Sequence, residues 1–296
     1  MANPQVTPRA LEVTLIGLLS RLPLPVLYRV ADVLYLITRF VWKYRRQVVC
    51  DNLRRCFPDK SDAEIDQIVK GFYRNIADVA VETVKAISIS PDELKRRVTI
   101  VNPELLEGFT KKDQAVILMA THQCNWEWLL LGLCVTLPFP IDAVYKPLHN
   151  RKFDQLMRVT RSRFGANPIP VGNVIIEIMK RQRTLKGLAI VADQTPVREE
   201  EKFWTTFLTQ DTAFSVGAEK IARLTRFPVI FAGMRRIRRG HYEVTLQSLA
   251  EPPYAKNAYT ITERYVGETQ RLVAERPADW LWSYRKWKYK KPLYAD

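Results

Sequence analysis

The sequence predicts an α/β fold: a mainly parallel mixed sheet flanked by helices, with an N-terminal helical membrane-associated subdomain. Three observations carry this. From residue 98 onward, short apolar runs alternate with longer stretches of helical period, the pattern of strands joined by crossover helices. Residues 1 to about 100 keep helical spacing almost throughout. Between them in importance is Gln114–Thr136, where the apolar run Ala115–Ala120 is followed by His122, then Glu127, then a second apolar run. The first run reads as a buried parallel strand and the second, Trp126–Val135, as a buried helix. His122 therefore falls at the carboxyl end of a strand, where open α/β sheets place their chemistry. The predicted division is a helical region, 1–97, and an α/β region, 98–296.

Residues 1–10 read as a tail. Leu11–Leu22 and Val26–Arg46 read as helices split by L-P-L-P. The longest uncharged run here, Val13–Ser20, is far short of the ~20 residues a spanning helix needs. Its richness in Leu, Val, Tyr and Phe, ending in Trp42-Lys43-Tyr44-Arg45-Arg46, suits a segment lying in a membrane interface with its cations on anionic headgroups. No secretory signal peptide is evident. Asn52–Lys60 reads as a connector. Ser61 with Glu64 forms a capping box, opening a long helix carried by Ile65, Ile68, Val69, Phe72, Ile76, Val79, Val84 and Ile87. Asp78 and Glu82 on that helix are expected to be solvated. Pro91 opens a short helix with Ser90 as its cap.

Strands are predicted at Val98–Val101, Ala115–Ala120, Ile141–Tyr145, Ile169–Pro170, Gly187–Ala192, Pro228–Met234 and His241–Gln247. Helices are predicted at Trp126–Val135, Lys152–Phe164, Asn173–Arg183, Ser215–Arg226 and Thr260–Glu275, the last with a second capping box, Thr260 with Glu263. Arg238-Arg239-Gly240 reads as a hairpin turn, which makes one sheet edge antiparallel.

A chain of 296 residues can bury a large core, and its formal charge of +15 favours an anionic partner. The basic segments Arg235–Arg239 and Arg285–Lys291 carry no nucleic-acid fold signature, so an acidic protein or an anionic bilayer fits the charge better. Cys50, Cys56, Cys124 and Cys134 lack paired spacing and read as free thiols. His122 and Cys124 have no further ligands at metal-binding spacing, so no metal and no cofactor is expected.

A histidine beside a carboxylate is the smallest general-base unit: the imidazole takes a proton and the carboxylate fixes its tautomer. His122 is one of three histidines, with His149 and His241. Five positions along a regular helix would set His122 and Glu127 about 140° apart, so the two can meet only if His122 precedes the helix. No G-x-S-x-G elbow supplies a serine nucleophile, and the spacing of Cys124 from His122 points its thiol elsewhere.

T-H-Q-C-N-W-E, residues 121–127, resembles the H-x4-(D/E) motif of the lysophospholipid acyltransferase superfamily. Its N-W-E ending is similar to the bacterial lipid A biosynthesis late acyltransferases, the lauroyl and myristoyl transferases. Further blocks resemble that family in order: Tyr44–Pro58, Asn75–Lys85, Y-K-P-L-H-N from Tyr145, R-S-R-F-G from Arg161, A-D-Q-T-P from Ala192, F-W-T-T-F-L, A-F-S-V-G-A-E-K-I-A-R-L-T, P-V-I-F and P-A-D-W-L-W-S-Y-R-K-W-K. The likeness runs from about Leu11 to Lys288. The family more often has His where Tyr284 stands.

The resemblance implies acyl transfer without a covalent enzyme intermediate. His122 would deprotonate an acceptor hydroxyl, with Glu127 orienting it, and the hydroxyl would attack an acyl thioester on acyl carrier protein. Arg161 and Arg163 would clamp phosphates or the developing oxyanion, with Lys146 joining them. Asp193 is a structural cap or a substrate contact, with nothing to choose between the two; Thr205, Thr206 and Phe207 border the pocket without assigned roles. The acceptor would be an anionic glycolipid, a lipid A precursor, at the cytoplasmic side of the inner membrane, where the protein is peripheral or monotopic. Two rivals stay open: an acyltransferase for a lysophospholipid or aminolipid, using acyl-CoA or carrier protein, and a non-catalytic membrane-binding protein.

Overall fold

A computed structural model describes residues 15–181, 184–256 and 258–291. The expected tail and the opening of the first helix, residues 1–14, lie outside the described residues.

The chain begins with α1 (Leu15–Ser20) and α2 (Leu24–Leu36), separated at the predicted proline break. α2 continues into a π-helical turn, Ile37–Val41, where Thr38 Oγ1 donates to the Leu34 carbonyl at 2.7 Å, a back-bond that bends helices. α3 (Arg46–Cys56) overtakes most of the expected connector. Val49, Leu53 and Cys56 give it a buried face, and Asn52 is buried because its amide donates to the Trp282 and Tyr284 carbonyls at 2.9 Å. α4 (Asp62–Lys85) starts at Ser61 with both bonds of the predicted capping box in place. α5 (Pro91–Arg97) is capped by Ser90 as predicted.

One expectation on α4 fails. Asp78 and Glu82 are buried, not solvated, at 3% and 0% exposure. With Asn75 and Lys85 they form a polar stripe at spacings of three and four residues, facing the body of the protein. Each member has partners there: Asn75 donates to the Asp279 carbonyl, Asp78 pairs with Arg236 and Arg239, and Lys85 donates to the Leu22 carbonyl.

The α/β region then unfolds in order: β1 (Val98–Ile100), α6 (Glu104–Lys111), β2 (Val116–Ala120), α7 (Trp126–Thr136), β3 (Ile141–Tyr145), α8 (Arg151–Ser162), β4 (Asn167–Pro170), α9 (Val174–Lys180), β5 (Gly187–Val191), β6 (Lys202–Phe207), β7 (Gln210–Ser215), α10 (Gly217–Thr225), β8 (Val229–Arg238), β9 (His241–Ala250) and α11 (Thr260–Glu275). Seven strands form one sheet in the order β1-β9-β8-β2-β5-β3-β4. The run β8-β2-β5-β3-β4 is parallel, and the β8–β9 hairpin reverses direction. The predicted turn at Gly240 closes that hairpin, with φ +70°, which glycine adopts without strain.

β2 is the central strand and is buried along its whole length. Ile117 and Met119 enter one core with residues of α3, α4, α10 and α11; Val116, Leu118 and Ala120 enter the other with residues of α2, α5 and α7. This two-residue alternation explains why the strand reads as a continuous apolar run. In α7, Gly132 stands where an added Cβ would come within 2.6 Å of Val98, so the glycine sets how closely α7 lies on β1.

Besides α3, α6 and the separate β6–β7 hairpin go beyond the predicted list. The second predicted capping box is not formed: the residue before α11 is Tyr259, whose side chain makes no cap, and the first-turn N–H of Thr262 donates instead to Glu219 Oε2 at 2.9 Å. Among the described residues no helix is long and apolar enough to cross a membrane. Val26, Val30 and Val33 of α2, followed by Phe40, Val41 and Trp42, leave their side chains exposed.

Candidate active site

The site forms at the carboxyl edge of the parallel strands. β2 and β5 are neighbours, and their last paired residues are Ala120 and Val191. Two residues past each lie His122 and Asp193, which the register brings face to face. Nδ1 of His122 is 2.6 Å from Asp193 Oδ1, and the backbone N–H of His122 donates to Asp193 Oδ2 at 2.9 Å. Trp280 Nε1–H donates to the same Oδ2 at 2.8 Å. A carboxylate only accepts, so Nδ1 carries the hydrogen, which in the neutral imidazole leaves the lone pair on Nε2. The Gln194 amide nitrogen is 3.3 Å from that Nε2, and the Trp126 ring stands edge-on to the imidazole at 5.1 Å.

Asp193 is 2% exposed. Burial pushes its carboxyl up, but the charge of His122 and the hydrogen bonds from His122 and Trp280 outweigh burial and hold it below the usual carboxylate range. The surroundings are rigid. Tyr265 of α11 donates its hydroxyl to the Ala120 carbonyl at 2.8 Å, tying the end of β2 to that helix. Cys124 sits at φ +53° with its N–H on the Asp279 carbonyl, and Gln123 bridges to Trp280. The Cys124 thiol is fully buried, and burial pushes it well up. It is therefore a poor nucleophile.

Asn125 caps α7: its Oδ1 accepts from the Trp128 N–H at 2.9 Å, and its Nδ2 donates to Glu82 Oε2 at 2.7 Å. Glu82 also accepts from Tyr242 at 2.7 Å and Tyr28 at 2.8 Å. Burial raises its pKa, against those three hydrogen bonds. Glu82 thus holds the loop between His122 and α7, a role the sequence reading missed. The signal was available in the three-and-four spacing of Asn75, Asp78, Glu82 and Lys85.

His122 does precede the helix, as its meeting with Glu127 required, yet the carboxylate bonded to it is Asp193. Glu127, in the first turn of α7, takes Arg161 in a two-pronged pair: Nη2 to Oε1 at 2.6 Å and Nε to Oε2 at 2.9 Å. The carboxylate within bonding distance of His122 is thus Asp193, while that of Glu127 is taken up by Arg161. Burial works against the Arg161 charge, and the Glu127 carboxylate more than restores it. Arg161 also lies over the Tyr145 ring at 5.6 Å. Arg163 points its guanidinium at main chain: Nη1 donates to the Ala86 carbonyl at 2.5 Å and Nη2 to Ile89 at 2.9 Å. Those bonds tie α8 to the turn after α4. Lys146 is exposed just past β3, on the same sheet edge. Thr205, Thr206 and Phe207 lie on β6, with Phe207 packed against Trp280 at 5.8 Å.

Lys286 is a further buried group near the pair. Its Nζ donates to the Ala213 carbonyl at 3.1 Å and lies 3.7 Å from the Phe214 ring centroid. Burial pulls its pKa down to about 7, against the attraction of Asp193.

The arrangement offers a basic imidazole nitrogen beside a confined carboxylate, and a second carboxylate that fixes an arginine nearby. That is a proton acceptor plus an anion-stabilising cation. The chain as a whole resembles known proteins over most of its length. The profile described as bacterial lipid A biosynthesis acyltransferase matches residues 4–289. The chain is 21% identical over 276 residues to the lipid A biosynthesis palmitoleoyltransferase of Escherichia coli K12, covering 90% of this chain and 87% of that one. It is 24% identical to a lipid A biosynthesis acyltransferase of Haemophilus influenzae, covering 81% and 74%. With the E. coli lipid A biosynthesis myristoyltransferase it shares 23%, covering 84% and 77%.

Proposed function

The chain belongs to the bacterial lipid A biosynthesis acyltransferases and is an acyltransferase enzyme, and from that premise we propose that it moves a fatty acyl chain from acyl carrier protein to a hydroxyl of a lipid A precursor, using His122 as general base. The observation that carries this is the His122–Asp193 pair, locked by strand register and by three hydrogen bonds on one carboxylate. Nε2 of His122 takes the proton of the acceptor hydroxyl as its oxygen attacks the thioester carbonyl. Asp193 stabilises the imidazolium that forms. The tetrahedral oxyanion collapses, the carbon–sulfur bond breaks, and the thiolate leaves with the proton returned from His122. The products are an ester and a free thiol, with no acyl-enzyme.

Glu127 acts through Arg161. By pairing with the guanidinium it keeps a cation fixed at the sheet edge that carries His122, where it meets the oxyanion or an anionic group of the acceptor. Lys146 adds a mobile cation on the same edge. Arg163 serves mainly by fixing α8, and so Arg161. The exposed apolar residues of α2 and the Phe40–Trp42 turn, followed by Lys43, Arg45 and Arg46, support docking on an anionic membrane surface. In this reading the enzyme works at the cytoplasmic face of the inner membrane, where carrier-protein thioesters are available.

Radiolabelled acyl carrier protein and acyl-CoA, each offered with a lipid A precursor and with a lysophospholipid, test the proposal. Transfer to the lipid A precursor from carrier protein, lost by about 10²-fold or more in His122→Ala, is the expected result. Equal turnover in His122→Ala, or transfer only to the lysophospholipid, contradicts it.

A further inference from the structure

A cleft of about 340 Å³ opens between the start of α3 and the C-terminal segment, lined by Arg45, Val48, Tyr284, Arg285 and Lys288. Its charged lining is three cations and no carboxylate. Several arginines elsewhere are neutralised in pairs: Arg39 with Asp66, Arg161 with Glu127, Arg181 with Asp142, Arg236 with Asp78, Arg239 with Asp32. Arg45, Arg285 and Lys288 have no carboxylate partner among the described residues. Arg45 lies over the Tyr44 ring and Lys288 over the Tyr289 ring.

The cleft is built, not incidental. Arg45 takes a left-handed conformation, φ +49°, as the residue before α3, and its Nη1 donates to the Ser283 carbonyl at 2.9 Å. That bond joins the two walls. The opposite wall is pinned at Asn52, whose amide holds the Tyr284 carbonyl at 2.9 Å. It is pinned again at Thr195, whose hydroxyl donates to the Lys286 carbonyl at 2.7 Å. Thr195 follows Gln194, the residue whose amide nitrogen lies 3.3 Å from His122 Nε2. Thr195 thus ties the C-terminal wall of the cleft to the residue beside His122.

We infer that this cleft binds a phosphate group of one of the two substrates. Two guanidinium forks and one ammonium suit a phosphate, which accepts several charge-assisted hydrogen bonds at once. Held close together without an anion, the three cations repel one another; a phosphate turns that repulsion into attraction. The inference rests on the acyl-transfer reading, and two sources fit its chemistry. One is the phosphate of the phosphopantetheine arm, a phosphodiester in carrier protein and part of a pyrophosphate in CoA, which lies a flexible arm away from the thioester. The other is a phosphate on the acceptor headgroup.

Equilibrium binding separates this from the catalytic proposal, since it needs no turnover. Calorimetry would compare 4′-phosphopantetheine with pantetheine, and a phosphorylated lipid acceptor with its dephosphorylated form. The proteins are the wild type and the Arg285→Gln/Lys288→Gln double variant, which keeps the Arg45–Ser283 bond and changes two exposed side chains. Circular dichroism confirms that the variant is folded, and each single variant provides a second test. The expected result is that one phosphate-bearing probe binds the wild type at least tenfold more tightly than its phosphate-free counterpart, and that the double variant abolishes this preference. The pair showing it, pantetheine or lipid, identifies the source. No preference in either pair, or a preference that survives in the double variant, overturns the inference.

Discussion

The carboxylate that meets His122 is that of Asp193, 71 residues further along the chain, while Glu127 turns to Arg161. In the proposed mechanism the two carboxylates divide the work. Asp193 is confined between His122 and Trp280 and fixes a tautomer. Glu127 fixes a cation.

Glu127 and Arg161 should then behave as one unit. Glu127→Gln and Arg161→Gln are each expected to lower kcat/KM by about 10–10²-fold, and the double variant to be little worse than either single one. A double-mutant cycle on steady-state rates measures this. Simple multiplication of the two losses would show that the residues act independently.

Glu82 gathers three hydrogen-bond donors in a fully buried position. Glu82→Ala strands all three, and each unsatisfied buried group costs about 1–3 kcal/mol. The expected loss in urea unfolding is roughly 3 kcal/mol or more. Glu82→Gln, whose amide oxygen still accepts, should lose clearly less. Because Asn125 hangs from Glu82, kcat should fall in Glu82→Ala even at temperatures where the variant is folded.

Much of this architecture could be read from residues, and the exceptions have physical causes. The strands of the main sheet were legible because burial on both faces writes an apolar run, as in Val116–Ala120. The β6–β7 hairpin was not. Its burial does not alternate cleanly, and its turn places Leu208 and Thr209 at positive φ with no glycine or asparagine to signal it. Helix α6 is short and carries Gly108 within it. Asp78 and Glu82 looked solvated because charge is normally outside; their partners, Arg236, Tyr242 and Asn125, come from distant strands and loops. His122 was legible from its place at a strand end. Its pairing with Asp193 was not, because only the register of β2 against β5 brings the two together.

Lys286 gives a pH dependence of known sign. Folding lowers its pKa from 10.5 to about 7, because burial opposes the charge more than Asp193 supports it. Between those values the unfolded chain holds a proton that the folded chain has released, so stability from this group rises with pH. Below about 7 the buried ammonium destabilises in full. Lys286→Met removes the effect, so it should favour the folded state more at pH 6 than at pH 9, by on the order of 2 kcal/mol. Thermal or urea unfolding at the two pH values measures the difference. An equal effect at both would show that Lys286 is charged throughout.

The exposed apolar turn is the proposed membrane contact. Phe40→Asp/Trp42→Asp is expected to cut co-sedimentation with vesicles containing anionic lipid by about tenfold, leaving transfer to a detergent-dispersed acceptor near the wild-type rate. Undiminished vesicle binding would place the contact elsewhere on the protein.

Transfer of an acyl chain from acyl carrier protein to a lipid A precursor by Asp193→Asn tests the central claim most directly. The amide keeps the size of the carboxylate but cannot stabilise the imidazolium. With circular dichroism unchanged, kcat should fall by roughly 10²–10⁴-fold while KM for both substrates stays within a few-fold of wild type. A kcat within threefold of wild type would contradict the assignment of His122 and Asp193 as the catalytic pair.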